Sequence, residues 1–304
     1  MGQDPHAGSM EQMKIWYNPA LKTDKESYAK AVFRSIKYPE ILSYSTKTAT
    51  VELVFIGADE DNNDNLPYFS LSAGINVDNA SNNLLSASTA MLSLSYALPL
   101  NYNNTYIAIG VQSNYSFNKV GSTDYTPDFP EKFDKFGAIG WALSRDPYAT
   151  GYNYSYFTIG AGTTVFHSDK NSYWYIGASA RNINHPYTEW SRSSALPTTY
   201  GIQGGIGQSI SESAQIGVFC NISRSSVTEQ HYTISYTRHF GLTDSTGIKV
   251  MGSLGISPGE SMKPLIGLTF GKDQFGFGYE FNLPGIASGG FNRRGFNLTY
   301  RRKL

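Results

Sequence analysis

The side chains that could do chemistry are few and lie far apart along the chain. None of the five histidines has a second histidine or a cysteine at the spacing of metal ligands. They are His6, His167, His185, His231 and His239. The single cysteine, Cys220, excludes an internal disulfide. We therefore expect neither a metal site nor a cofactor.

A lipid-processing serine site is the catalytic arrangement that the sequence approaches most closely. Such a site needs a histidine and a serine at neighbouring outward positions. His231 with Ser223 or Ser225 comes nearest, but serine is so common here that chance explains the pairing. The motif Gly-x-Ser-x-Gly does not occur. We expect the protein not to be an enzyme.

Two further stretches resemble ligand-binding sites. Gly201, Gly204, Gly205 and Gly207 resemble a phosphate loop, but the pattern predicts no helix after them, so strand glycines that ease curvature are the better interpretation. Residues 59–64 are rich in Asp and Asn but lack the bidentate glutamate and turn glycine of a calcium loop. They indicate a solvated acidic turn.

The predicted strands that carry these residues alternate apolar with small or polar side chains, with a period of two residues. Successive side chains of a strand point to opposite faces, so one face can be apolar and the other polar. In residues 173–181 one face carries Trp174, Ile176, Ala178 and Ala180. In residues 214–223 one face carries Ala214, Ile216, Val218, Cys220 and Ile222. Ten-residue segments of this kind, separated by turn residues, are typical of a transmembrane β-barrel.

Fourteen such segments predict an all-β fold, an antiparallel up-and-down transmembrane barrel. The strands of a soluble β-sandwich or propeller also alternate apolar with polar side chains. About fourteen strands with one nearly uniform apolar face are more than a sandwich needs to cover its core. The predicted strands are residues 27–38, 46–56, 67–77, 86–98, 103–116, 152–166, 171–182, 198–209, 213–223, 226–239, 247–256, 262–271, 274–282 and 291–301.

Composition agrees with a membrane barrel. The 304 residues include 24 acidic and 24 basic side chains, so no basic excess indicates a nucleic-acid partner. No stretch approaches the roughly 18 apolar residues of a membrane helix. Arg293 and Arg294 are expected near anionic lipid headgroups at the outer end, and the last three cations, Arg301, Arg302 and Lys303, at the periplasmic edge.

The chain divides into a short irregular leader, residues 1–26, and the barrel, residues 27–304. We expect the leader to be extended, either tucked into the lumen or lying at the periplasmic rim. No secretory signal precedes Gln3-Asp4-Pro5, and we expect that it has been removed.

The connections predict the orientation. Alternate connections are tight, and the long ones, residues 117–152 and 183–197, fall at the opposite end, as in outer-membrane barrels. Prolines and aromatics in residues 117–152 predict an ordered loop at the barrel mouth, with a lid that has no partner as the alternative. The candidate partner-binding residues are Tyr125, Phe129, Phe133, Phe136 and Trp141.

Several short motifs resemble those of a known family. Gln3-Asp4-Pro5 is followed by Asn18-Pro19-Ala20, residues 181–186 read Arg-Asn-Ile-Asn-His-Pro, and Ser288-Gly289-Gly290 precedes the last strand. With the closing stretch 275–282, these make the chain similar to the type IX secretion system membrane proteins of the PorP/SprF family of Bacteroidetes. The likeness extends over nearly the whole chain.

The resemblance implies an outer-membrane barrel of the secretion and gliding machinery that docks or exports a partner rather than a catalyst. The implied partners are the C-terminal domain of a secreted adhesin and periplasmic components of the secretion system, besides outer-membrane lipid. An outer-membrane porin or solute channel is the alternative function.

Overall fold

Alternating side chains run through every long strand, and the strands pair edge to edge until the sheet closes on itself. The structure, a computed structural model, describes residues 12–38, 42–57, 66–80, 85–100, 104–120, 133–134, 137–138, 152–169, 171–187, 195–240, 247–283 and 293–304. Within them fourteen strands form one closed antiparallel barrel, which confirms the predicted fold class and strand number.

The strand bounds follow the predicted ones closely. β2 begins at Leu42 and β5 continues to Val120, four residues beyond the prediction at each of these ends. The barrel strands are β1 Tyr28–Tyr38, β2 Leu42–Ile56, β3 Tyr68–Ala80, β4 Leu85–Pro99, β5 Thr105–Val120, β8 Tyr152–Ser168, β9 Ser172–Arg181, β10 Thr199–Ser211, β11 Ala214–Arg224, β12 Thr228–Phe240, β13 Ile248–Ser257, β14 Ser261–Phe270, β15 Asp273–Asn282 and β16 Arg294–Lys303. Two short strands between β5 and β8, β6 Phe133–Asp134 and β7 Gly137–Ala138, pair with each other.

The first and last strands close the barrel. β1 and β16 pair from Tyr28 opposite Lys303 to Lys37 opposite Arg294, and the Leu304 amide donates to the Ser27 carbonyl at 3.0 Å. Closure removes the unpaired edge that an open sheet would expose, and lipid offers no partner for such an edge.

The outer face is apolar, as the alternation predicts. Ile176 and Ile202 are each 60% exposed, and the lipid is the environment in which such a surface is stable. Aromatic side chains collect toward both ends of this face, in the manner of interfacial girdles. They include Phe55, Phe69, Tyr96, Trp174, Phe240 and Phe270 at one end and Tyr115, Phe117, Tyr200, Tyr232, Phe281 and Phe296 at the other.

The inner face is polar and packed. Buried threonines, serines, asparagines and glutamines line the strands, among them Thr48, Ser72, Gln112 and Asn221. The glycines at 276 and 278 alternate with outward aromatics, as predicted, and Phe277 is 54% exposed. One face of each strand therefore contacts lipid, and the other contacts the polar lumen.

Tight turns, the start of β1 and the C-terminus lie at one end of the barrel, the turn end. The Asp169 carboxylate there accepts hydrogen bonds from the backbone amides of Asn171 and Ser172 at 2.7 and 2.6 Å. The Ser172 amide, the His167 side chain and the Asn171 amide lower the pKa of Asp169 to about 2. The carboxylate therefore stabilises this turn above its unfolded pKa near 4, and the contribution is lost as the pH falls toward 2.

The strand ends that flank the long connections lie at the opposite end, the loop end. β5 and β8 are joined by residues 121–151, and Val120 and Tyr152 are register partners at the base of this loop. The acidic run at residues 59–64 lies outside the described residues.

The leader differs from the prediction of an extended segment. Lys14–Tyr17 forms one turn of α-helix, because the Asn18 amide donates to the Lys14 carbonyl at 3.0 Å. Among the described residues, no helix is long and apolar enough to cross a membrane.

A charge on the outer face should destabilise the barrel. Ile176 lies at the middle of β9, and Ile176→Arg places a cation near the centre of the bilayer at a cost of about 2–4 kcal/mol. The free energy of unfolding, measured by denaturant titration in liposomes, should fall by that amount, whereas Ile176→Leu should change it little. An unchanged value for the arginine variant would contradict the assignment of this face to lipid.

Candidate functional site

The described part of the leader occupies the lumen. Residues 12–22, called the plug below, enter from the turn end and cross the barrel at mid-height. Met13, Ile15, Trp16 and Tyr17 are buried, where they pack with Val32 of β1 and Met91 of β4. A segment with no strand pairing of its own is therefore held by the inner face of the barrel wall.

Asn18 is the anchor of the plug, and its side chain is fully buried. Its Nδ2 lies 2.9 Å from the Gln203 Oε1, 3.2 Å from the Ala178 carbonyl and 3.3 Å from the Thr163 carbonyl. Its Oδ1 accepts from the Ala20 amide at 2.9 Å. One amide therefore meets acceptors on three neighbouring strands, β8, β9 and β10.

Gln203 extends this anchor across the wall. Its Nε2 donates to the Ser179 Oγ at 3.2 Å and to the Asn221 Oδ1 at 3.1 Å. The Ser179 hydroxyl in turn donates to the Tyr17 carbonyl at 2.9 Å. A buried amide needs this full set of partners, because each unsatisfied group would cost about 1–3 kcal/mol.

Glycines of the wall make room for the plug. A Cβ at Gly162 would overlap the Asn18 side chain, and one at Gly177 would lie 2.9 Å from the Asn18 Nδ2. A Cβ at Gly110 would lie 2.8 Å from the Pro19 carbonyl carbon, and one at Gly74 2.8 Å from the Trp16 ring. Side chains at these positions would push the plug away from the wall.

The opposite wall also holds the plug. The Trp16 Nε1 donates to the Thr50 Oγ1 at 3.0 Å, and the Gln12 Nε2 donates to the Thr299 Oγ1 at 3.2 Å. Thr299 lies on β16, which is across the ring of strands from β8–β10. The plug therefore spans the lumen from wall to wall.

A charged group surrounds the turn end of the plug. Lys22 is paired with Asp24 and, at 3.4 Å, with Glu52 of β2, and Lys30 of β1 also pairs with Glu52. Burial acts to raise the pKa of Asp24, but the positive charges of Lys22 and Arg301 outweigh it, so that this pKa lies below its usual range. The group borders a cavity of about 250 Å³ at the turn end of the plug.

A second charged group lies above the plug. Glu280 of β15 is fully buried and accepts hydrogen bonds from Arg34 of β1, the shortest at 2.8 Å, and from the Ser261 hydroxyl of β14 at 3.0 Å. Arg293 pairs with it at 2.5 Å and Lys263 lies 3.8 Å away. Arg293 thus faces the lumen, not the lipid headgroups as expected.

The aromatic loop residues predicted to bind a partner stay a prediction. The backbone of Phe133 lies in the short pairing of β6 with β7. Tyr125, Phe129, Phe136 and Trp141 lie outside the described residues. Nothing in the described part of the chain brings the five together.

His231, the histidine considered for catalysis, contacts Ser257 and not Ser223 or Ser225. The His231 Nδ1 lies 2.7 Å from the Ser257 Oγ, and the residue opposite His231 on β11 is Asn221. Ser257 is buried on the inner face, not on the outward face that a lipid substrate would reach. The described residues contain no group of three or more side chains that could hold a metal ion.

The glycines at 205 and 207 of β10 are explained by close contact with aromatic rings and not only by strand curvature. A Cβ at Gly205 or Gly207 would overlap the ring of Tyr175 or Tyr173, and Gly217 on β11 faces the Tyr173 hydroxyl. These aromatic rings lie in the lumen beside Phe219, with the Tyr173 and Phe219 ring centroids 6.0 Å apart. Glycines here admit large inward side chains on the neighbouring strand.

Sequence reasoning missed the residues that hold the plug, chiefly Asn18, Gln203 and Gly162. The available signal was the Asn18-Pro19-Ala20 motif in an otherwise irregular leader, together with inward glycines on successive strands. Their pairing joins residues about 145–185 positions apart, which no local pattern reveals.

An apolar outer wall and a polar, filled interior define a transmembrane barrel of the outer-membrane type. Residues 2–301 match the family described as type IX secretion system membrane protein PorP/SprF, and the chain belongs to this family. The protein is therefore an outer-membrane barrel. Because outer-membrane barrels have short periplasmic turns and longer outer loops, we assign its turn end to the periplasm and its loop end to the cell exterior. No curated protein sequence matches the chain.

Solved structures are similar in fold. The CymD monoaromatic hydrocarbon channel superposes with a TM-score of 0.54 at 9% identity, covering 98% of this chain and 94% of the channel. A Pseudomonas aeruginosa FadL homologue gives 0.53 at 10% identity, covering 100% and 95%. At these identities the likeness concerns the fold alone.

A side chain at Gly162 should displace the plug. In Gly162→Val the new atoms would overlap Asn18, so Lys22, whose side chain is 2% exposed, should become accessible to trypsin. Cleavage in the leader, followed by mass spectrometry, should speed up at least about tenfold, as expected if roughly 1.4 kcal/mol of anchoring is lost. Gly252→Val is the matched control, because a Cβ at Gly252 meets nothing within 4 Å. Equal digestion of both variants would show that Gly162 does not seat the plug.

Proposed function

We propose that this protein is a non-enzymatic docking barrel of the type IX machinery, which holds a secreted or periplasmic partner protein instead of passing solutes. The observation that carries the proposal is the plug, because residues 12–22 reach hydrogen-bond partners on opposite walls of the lumen. A channel needs an open polar path, and here buried side chains occupy it.

The engagement of the polar interior supports the non-enzymatic part of the proposal. Gln203, Ser179 and Thr50 hold the plug, and Glu280 holds Arg34. These groups act as hydrogen-bond and charge partners within the fold, and a catalytic group would have to be free to reach a substrate.

The docking surfaces proposed are the leader at the periplasmic end and the loop of residues 121–151 at the outer end. The partner classes are periplasmic components of the secretion system and the C-terminal domain of a secreted adhesin. The aromatic residues Tyr125, Phe129, Phe133, Phe136 and Trp141 would supply the contact at the outer end, since aromatic anchors dominate protein interfaces.

A solute channel is the second candidate, and the fold it shares with the CymD channel favours it. Conductance separates the two. The full-length protein in planar bilayers should give no steady current, whereas a variant without residues 2–22 should give open steps, because the plug is then absent. Both proteins must first show the heat-dependent gel shift of a folded barrel. A steady current through the full-length protein would refute the docking barrel and favour the channel.

The outer loop should be needed for the partner and not for the barrel. Because Val120 and Tyr152 are register partners, a short Gly/Ser linker can replace residues 121–151 without altering β5 or β8. Surface display of the partner in the native host, measured by antibody binding to whole cells, should fall at least about tenfold if the loop supplies a hot-spot contact.

The control replaces residues 188–194, whose flanks Tyr187 and Ala195 form a bridge, with Asn-Gly. Display should persist in this variant. Undiminished display after loss of residues 121–151 would exclude that loop as the docking surface.

A further inference from the structure

The outer wall carries an apolar groove where β14–β16 meet β1–β3. Its volume is about 880 Å³, and nearly all of its lining is apolar. Ala31 and Ala49 form the floor of the groove. Phe277 and Leu298 form one side of it and Ile75 forms the other. Small residues on adjacent strands beside bulky ones on both sides produce a trough on a face that otherwise projects large side chains.

Cations lie at the outer end of this groove. Lys37 of β1 and Arg294 of β16 are directly opposite each other, and both are exposed on the outer face. Lys47 of β2 lines the groove itself, opposite Phe33. Arg293, one residue before Arg294, turns inward to Glu280. The outward cations are thus distinct from the charged group of the lumen.

These cations lack a counter-charge in the described part of the chain. Like charges directly opposite on a sheet repel, and no described carboxylate forms an ion pair with Lys37, Lys47 or Arg294. Arg294 is also opposite Phe281 of β15, and the Phe281 and Tyr279 rings lie 6.2 Å apart. Outward aromatics at a strand end mark headgroup depth, so Lys37 and Arg294 lie where lipid phosphates lie.

We propose that this groove binds a phosphorylated, multiply acylated lipid of the outer leaflet. Lys37 and Arg294 hold a phosphate, which the planar guanidinium of arginine can meet with two hydrogen bonds. Acyl chains lie in the trough toward Ala31 and Ala49. From Lys37 to Ala31 the strand rises roughly 20 Å, enough for one leaflet of a hydrocarbon core about 30 Å thick.

The test measures binding of bisphosphorylated lipid A to the purified full-length protein in zwitterionic detergent by native mass spectrometry. The double variant Lys37→Ala with Arg294→Ala should bind at least about tenfold more weakly, since each cation near an anionic headgroup contributes roughly a factor of five. The matched control is Lys119→Ala with Arg224→Ala, which removes two outward cations at the outer ends of β5 and β11, away from the groove. It should bind like the unchanged protein.

A second pair of variants tests the trough without altering charge. Ala49→Trp fills it and should weaken binding at least about tenfold, whereas Ala178→Trp, on the outer face of β9, should not. Lipid A stripped of phosphate, and phosphatidylglycerol, should both bind the unchanged protein about as weakly as lipid A binds the double variant. Equal losses from the two double variants, equal effects of the two tryptophans, or tight binding of either comparison lipid would each overturn the proposal. Every variant is first checked for the gel shift of a folded barrel, with glutamine in place of alanine where that check fails.

Discussion

The structure depends on one constraint, which is that lipid satisfies no backbone hydrogen bond. Every strand must find a partner on both sides, so β1 has to return to β16 and the sheet has to close. Closure at fourteen strands encloses a lumen wider than a barrel's own side chains can fill, since eight strands already give an interior that they just fill. The remaining space must hold water or additional chain. Here additional chain, the plug, occupies its middle.

Filling the lumen with polar chain is stable because the groups that anchor the plug meet partners. Asn18 and Gln203 satisfy each other and the backbone of the wall, and Glu280 is matched by cations on several strands. Removing one member of a buried charge pair typically costs about 3–5 kcal/mol, because the other charge is left without compensation. Lys30 and Arg34 make both charged groups depend on β1, the closing strand. The plug, the charges and closure are therefore interdependent.

The sequence alone was sufficient to predict which side chains lie on each face of a strand. Residues 173–181 and 214–223 place their side chains on the two faces as predicted, because the period of two is a property of the strand itself. The helical turn at Lys14–Tyr17 was missed, because three of its four residues are fixed by burial in the lumen and not by local signals. The contact of Asn18 with Gly162 joins residues 144 apart, and only closure brings them together. Arg293 and Arg294 look equivalent in sequence, yet the pleat sends one to Glu280 and the other outward.

The strand that closes the barrel links the inside of the protein to its lipid surroundings. On its inner face β1 offers Lys30 and Arg34 to carboxylates, and on its outer face it contributes Ala31 to the groove and Lys37 to the cations above it. A lipid phosphate at Lys37 and Arg294 would join β1 to β16 from outside, at the level where Arg34 joins β1 to β15 from within. The proposed docking role would require the lumen to stay closed while partners pull on the loops or the leader. Fastening the closing strands on both faces would meet that requirement, because neither the plug nor the lipid alone would have to resist the load.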